Sequence, residues 1–307
     1  MPKKIIFVGT TEFGIPTLEK LMKDYELVLI ITQPDKPAGR DKKLTPPPIK
    51  TWAEKNNIKV LQPQKILDSK LQILDPQPDL MIVAAYGQII PKEILDLPKF
   101  GSINIHGSIL PKYRGASPIQ AAIANGDAET GITLIQMDEK MDHGPLIAAK
   151  TININSNDNY MTLHKKLSDT AADLVAETLP KWVSGEIKPY EQNHEKATFV
   201  HLLSKNDSKI NWSRPSIEID RQIRAFNPEP GTWTTLANKH LKILAAEIIA
   251  DHKIELPGKL YVANGELAVK CLDSGLLLKK VKPEGKNEMT GKDFLNGLKN
   301  LNNKIFI

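Results

Sequence analysis

The chain has 307 residues, 41% hydrophobic and 25% charged, and a net charge of +5. That length accommodates two domains with the composition of a soluble globular protein. A single cysteine, Cys271, excludes an internal disulfide framework and a Cys-based zinc site within one chain.

The charge is unevenly placed. Residues 1–206 carry 25 Lys and Arg against 24 Asp and Glu, while residues 207–307 carry 16 against 12. The basic excess of the C-terminal third suits an anionic partner, and a solvated basic surface is the alternative reading. The first apolar run, Ile5–Val8, is too short for a signal core or a membrane span. A cytoplasmic protein with no membrane partner is therefore expected.

Taken in chain order, Lys4–Val8 predicts a buried strand, Phe13–Lys23 a helix and Leu27–Thr32 a second strand. This order implies a parallel, right-handed crossover. The turn Gly9–Gly14 lacks the G-x-G-x-x-G pattern, so no dinucleotide cofactor is expected. Residues 33–50 predict a long polar loop with five prolines and the basic residues Arg40, Lys42 and Lys43. Such a loop suits a phosphate backbone, and it offers so little to bury that mobility is expected.

Further on, the pattern predicts helices over 49–56 and 66–74, a short strand at Val60-Leu61 and a buried strand over 79–85, followed by Tyr86-Gly87. A helix over 118–125, strands over 130–137 and 146–154, and an amphipathic helix over 160–182 complete the run. The alternation predicts an open α/β domain with a parallel-type sheet over residues 1–188. Residues 189–206 read as a linker. Residues 207–307 read as a second unit: a helix over 216–226, several short strands between Thr235 and Val281, and a closing helix. A small β-barrel or sandwich is expected there. Cys271 alternates with Leu267 and Val269 and reads as a buried small residue.

Chemistry gathers in residues 101–115. Ile103 and Ile105 alternate with Asn104 and His106, so the period of a strand places the carboxamide and the imidazole on one side. Taken alone, that pair reads as a polar strand end with a satisfied histidine. With a carboxylate beside it, the same pair becomes an oxyanion donor and a proton carrier. Asp142, followed by His143-Gly144-Pro145, is the candidate carboxylate. No Ser or Cys nucleophile stands at motif spacing, so direct transfer to the substrate's own nucleophile fits better than covalent acyl transfer. No second His or Cys accompanies His143 at ligand spacing, and no metal is expected.

Asn104-x-His106, followed by Ser108-Ile-Leu-Pro-Lys-Tyr-Arg-Gly115, resembles the signature of the 10-formyltetrahydrofolate-dependent formyltransferases. Met141–Pro145 is similar to the catalytic loop of that family, with Lys140 where the family usually has glycine and His143 where it usually has a small hydroxyl residue. Ile6–Pro16, residues 33–50 and Arg221–Trp233 resemble the branch of the family that acts on methionyl-initiator tRNA.

The resemblance implies a Rossmann-like formyltransferase domain followed by a smaller OB-like β-barrel domain. It implies catalytic roles for Asn104, His106 and Asp142. It implies a folate slot formed by Tyr86, Gly87, Ile90, Ser108, Ile109, Leu110 and Pro111, with Ile89 nearby, and tRNA contacts from Arg40, Lys42 and Lys43. The implied partners are 10-formyltetrahydrofolate as formyl donor and initiator methionyl-tRNA as acceptor, on a monomer without metal. Two alternatives stay open: a folate formyltransferase acting on a small amine, and an RNA-binding module with an inert α/β half. The second unit and the basic loop weigh against the first, and Asn104, His106 and Asp142 weigh against the second.

Overall fold

The computed structural model describes residues 2–38, 42–250, 256–298, 300–301 and 304–307. The chain divides into two compact units. The first comprises Met1–Pro118, Glu129–Asn153 and His164–Val200; the second comprises Ile119–Ala128, Ile154–Leu163 and His201–Ile307.

The first unit holds strands β1 (Lys4–Gly9), β2 (Glu26–Ile31), β3 (Lys36–Ala38), β4 (Lys43–Thr45), β5 (Val60–Leu61), β6 (Leu80–Ala84), β7 (Ser102–His106), β8 (Arg114–Gly115), β9 (Glu129–Gln136), β10 (Leu146–Asn153) and β11 (Phe199–Val200). Seven of them form one sheet in the order β10-β9-β7-β6-β1-β2-β5. The five strands from β5 to β7 in that order pair in parallel. Both of their faces are covered, which is why β1 and β6 are nearly continuous apolar runs. Ile6 and Val8 pack with Leu29, Ile31, Met81 and Val83 in one cluster, while Ile5 and Phe7 are buried on the opposite side. β10 lies at the sheet edge and alternates half-buried with exposed residues along most of its length.

β9 runs antiparallel to β7, and β10 antiparallel to β9. Gln136, the last residue of β9, stands opposite Ile103 near the start of β7. The chain therefore leaves β9 at the amino end of β7, and residues 138–145 fold back over the face of the sheet to reach Asn104 and His106. The antiparallel direction of β9 is what brings this loop back to the pair on β7.

Two stretches read as unstructured have definite backbone partners. In residues 33–50, β3 and β4 form an antiparallel hairpin. Its base is tied by Asp35, which accepts from Gln62 Nε2 at 2.7 Å and from Lys50 Nζ at 2.9 Å. The Gln62 hydrogen bond first, and then Lys50, hold the Asp35 carboxyl below its usual range. Arg40 lies outside the described residues. The stretch 189–206, read as a linker, is fastened to the first unit over its first part: Tyr190 bridges Leu146, and β11 pairs in parallel with β8. A two-residue strand and an isolated bridge have no periodicity to reveal them.

The second unit is an antiparallel sheet that curls into a half-barrel. Its strands are β12 (Trp233–Leu236), β13 (Lys239–Ile249), β14 (Leu260–Ala263), β15 (Glu266–Lys270), β16 (Gly275–Pro283) and β17 (Met289–Thr290). They run in the order β12-β13-β16-β15-β14, with β17 on β16. Register shifts along β13 near Ala245 bend that strand. The tail covers both edges of the sheet: Thr235 and Ile307 exchange backbone hydrogen bonds, Phe306 N donates to Gly258 O, and Leu260 N donates to Lys304 O. Period two sends Leu241, Ile243, Leu267, Val269, Cys271, Leu276 and Leu278 into one core with Ile219 and Ile223 from the helix Ser216–Phe226.

Cys271 is 0% exposed, and burial, with Asp273 as a second cause, pushes its thiol from 9.0 up to about 12. A raised acid pKa means that the folded state favours the protonated thiol. This contribution is complete below the unfolded value and is lost as pH rises from 9.0 towards about 12. The native protein is expected to resist thiol reagents at neutral pH and to react only on unfolding. Rapid stoichiometric labelling of the native protein would contradict that burial.

Candidate active site

β7 carries Asn104 and His106 two residues apart, alternating with the buried Ile103 and Ile105. Asp142 joins them from the loop after β9. Its Oδ1 accepts from Asn104 Nδ2 at 3.2 Å and lies 3.5 Å from His106 Nδ1. Its Oδ2 accepts from the backbone N–H of Gly115 at 2.8 Å. His106 Nε2 lies 2.8 Å from the carbonyl oxygen of Tyr113. A carbonyl only accepts, so Nε2 is the donor to Tyr113 O, and Nδ1 is the ring nitrogen that faces Asp142. The His106 and Asp142 side chains are only 5% and 11% exposed, so little water screens them.

The backbone around this cluster is bent into the left-handed region, with φ of 50° at Asp142 and 61° at Tyr113. Each such residue costs roughly 1–2 kcal/mol, so surrounding contacts must hold it. Thr198 Oγ1 accepts from Tyr113 N at 2.8 Å. Thr133 Oγ1 donates to Ser108 O at 2.7 Å and accepts from Leu110 N at 3.1 Å. Ser108 Oγ donates to Lys112 O at 2.5 Å, so this hydroxyl is engaged by its own loop.

The three residues expected to be catalytic are thus brought together, and the residues expected at the folate slot separate by position. Tyr86 and Ile90 are buried in the core cluster of the first unit. The Tyr86 carbonyl already accepts from Thr10 Oγ1 at 2.9 Å and Gln33 Nε2 at 3.2 Å. Its buried phenol has no hydrogen-bond partner among the described residues, and burial pushes its pKa up to about 12. Leu110 packs with Ile135 and Leu146. Ile109 and Pro111 are half-buried, Gly87 is exposed with φ of 82°, and Ile89 is 87% exposed. Lys42 and Lys43 are exposed on the hairpin.

Sequence reasoning missed the residues that fasten the site. Arg114, within the motif 108–115, is buried and donates to Gln192 Oε1 from Nη2 at 2.6 Å and from Nε at 3.2 Å. Its position beside Gly115 in the motif was the available signal. Thr133 left only a polar position in an apolar strand, and Thr198 left none. Among the described residues, no group of three or more His, Cys, Asp and Glu could hold a metal ion, and no helix is long and apolar enough to cross a membrane.

Residues 3–179 match the family described as formyl transferase, and residues 202–299 match its C-terminal domain. The chain is 42% identical to a methionyl-tRNA formyltransferase of Bacillus velezensis and 43% identical to that of Bacillus subtilis (strain 168), each over 96% of this chain and 94% of the relative. The chain belongs to the formyltransferase family. This formyltransferase is also 39% identical to the methionyl-tRNA formyltransferase of Staphylococcus aureus (strain MW2), over 97% of both chains. Its fold is shared by HypX from Aquifex aeolicus in complex with tetrahydrofolic acid, with a TM-score of 0.67 at 15% identity over 96% of this chain and 47% of HypX. It is shared as well by WlaRD, a sugar 3N-formyl transferase, with a TM-score of 0.65 at 22% identity over 94% of this chain and all of WlaRD.

Proposed function

We propose that this formyltransferase moves the formyl group of 10-formyltetrahydrofolate to the α-amino group of the methionine carried by initiator tRNA, for translation initiation. The observation that carries the reaction class is the meeting of a carboxamide, an imidazole and a carboxylate at one point, with Asp142 Oδ1 shared between Asn104 and His106. The acceptor is supported by relatives named methionyl-tRNA formyltransferase, similar along nearly the whole chain, second unit included. The folate donor is supported by fold neighbours described in complex with tetrahydrofolic acid or in the presence of 5-N-formyl-THF.

The donor set fits a formyl group. When bound, the folate supplies the activated formyl carbon. Asn104 has two amide hydrogens, of which one meets Asp142; the other donates to the formyl oxygen as negative charge develops there. His106, its Nε2 hydrogen committed to Tyr113 O, presents Nδ1 beside Asp142 and assists the same oxygen by hydrogen bonding and proton handling. Asp142 orients that imidazole and balances the charge that develops on it. It also takes the proton released by the attacking amine and passes it toward the leaving nitrogen. The engagement of Ser108 Oγ by Lys112 O leaves this hydroxyl out of the chemistry and supports direct transfer. Gly87 and Ile89, exposed beside β6, with Ile109 and Pro111, offer backbone and apolar contacts for the pterin.

The exposed Lys42 and Lys43, with Arg40, contact the tRNA backbone in this reading. Raising salt from about 50 mM to about 200 mM is expected to weaken tRNA binding by at least about tenfold. Replacing Lys42 and Lys43 by alanine is expected to reduce the slope of log affinity against log salt by about one per lost contact. Salt-independent binding would remove the basic hairpin from the interface. The reaction itself is tested by offering 10-formyltetrahydrofolate with methionyl-initiator tRNA, glycinamide ribonucleotide or an amino-sugar nucleotide. Transfer to the tRNA alone supports the proposal, and transfer to either small amine overturns the assignment of the acceptor.

A further inference from the structure

The geometry points to Gln192 as a positioning residue for Asp142, an inference that rests on the catalytic reading of Asp142 above. Gln192 is buried, 50 residues along the chain from Asp142, in the stretch that reads as a linker. Its side-chain amide donates to two backbone carbonyls of the catalytic loop, Asp142 O at 2.9 Å and Gly144 O at 2.7 Å. Its Oε1 accepts both bonds from the Arg114 guanidinium. A primary amide has two donor hydrogens and one oxygen with two lone pairs, so these contacts use its full capacity.

The arrangement is directed at the Asp142 backbone. Asp142 lies in the left-handed region, and its carboxylate must meet Asn104, His106 and Gly115 N together. Two carbonyls held on one planar amide fix the Asp142–His143 and Gly144–Pro145 peptide planes, and so fix where the Asp142 side chain leaves the loop. Gly144 is pressed against the end of β9, where an added Cβ would lie 1.8 Å from Gln136 O.

The next side chains extend the brace. Arg114 Nη2 also donates to His194 Nδ1 at 2.8 Å. A guanidinium only donates, so His194 Nδ1 is unprotonated. The His194 ring stacks on His143 with centroids 4.2 Å apart and planes 5° apart. His143 Nδ1 lies 2.6 Å from Asp138 Oδ2, at the start of the same loop. The loop that presents Asp142 is therefore gripped at Asp142, His143 and Gly144 by one segment, 192–194, with Arg114 bonded to both Gln192 and His194. Gln192 touches no reacting atom in this account. It acts by holding the carboxylate where the oxyanion donor and the imidazole can use it.

Gln192→Glu tests the assignment. It preserves size and the oxygen facing Arg114 but sets carboxylate oxygen against two carbonyl oxygens. Displacing a catalytic group by about 1 Å costs up to about a hundredfold in rate. We expect Gln192→Glu to lower kcat by tenfold to a hundredfold, with KM for methionyl-tRNA changed less than about twofold and an unchanged circular-dichroism spectrum. Gln192→Met, which fills the space without donors, is read in the same way should the glutamate variant not fold.

The decisive readout is a double-mutant cycle with Asp142→Asn. A residue acting through the Asp142 carboxylate loses most of its effect once that carboxylate is gone, whereas a merely structural residue keeps it. Losses that multiply in the double variant, or near-normal kcat in both Gln192 variants, would overturn the inference while leaving Asp142 in place. Full activity of Asp142→Asn alone would overturn the reading of Asp142 and this inference with it.

Discussion

Asp142→Asn is expected to lower the single-turnover rate of formyl transfer by about a thousandfold, within the range assigned to proton transfer by a positioned side chain. The substitution isolates charge from shape. Asparagine is one of the few side chains that tolerate the left-handed backbone found at Asp142, where φ is 50°. Its amide oxygen can still accept from Gly115 N, which now donates to Oδ2 at 2.8 Å. What disappears is the negative charge 3.5 Å from His106 Nδ1 and the atom that takes the amine's proton. Quenched-flow measurement with saturating methionyl-tRNA and folate checks the chemical step directly, and filter binding checks that tRNA affinity persists. A single-turnover rate within about threefold of the parent would exclude Asp142 from proton transfer.

Asn104→Ala is expected to cost roughly 3 kcal/mol of transition-state stabilisation, about a hundredfold in rate, with tRNA binding intact. Asn104 lies inside β7, its backbone paired with Val83 on one side and Ile135 on the other. Alanine leaves that ladder in place, so the loss reports on the carboxamide. The same change removes the donor to Asp142 Oδ1. Measuring Asn104→Ala in the Asp142→Asn background separates the two contributions, since an amide that acts only by orienting Asp142 would lose its effect there. Near-normal turnover of Asn104→Ala would take this amide out of the mechanism.

These effects depend on distances that no local pattern encodes, and the site shows where sequence reading stops. Asn104 and His106 were legible as a pair because a strand has period two and the alternating Ile103 and Ile105 face the core. Asp142 was legible only as a candidate, because β9 doubles back against β7 and carries its loop across the sheet face. The family resemblance implied a ligand slot that includes Tyr86 and Ile90, yet the core claims both side chains and Ile89 is the exposed one. Thr198 reaches Tyr113 across 85 residues, and Gln192 reaches Asp142 across 50. Neither stretch shows a repeating apolar pattern, since one hydroxyl or one amide suffices for its task.

By itself the sequence determined the alternation of strand and helix in the first unit and the short alternating strands of the second. It determined too the helix over 216–226 and the pairing of carboxamide with imidazole on β7. These follow from periods of 3.6 and 2.0, which are properties of neighbouring residues. Only the tertiary structure decided that Asp142 meets that pair, that Arg114 serves the scaffold, and that residues 189–200 brace the catalytic loop. Those are contacts between residues far apart in the chain, set by how the sheet is ordered and which buried polar groups must find partners.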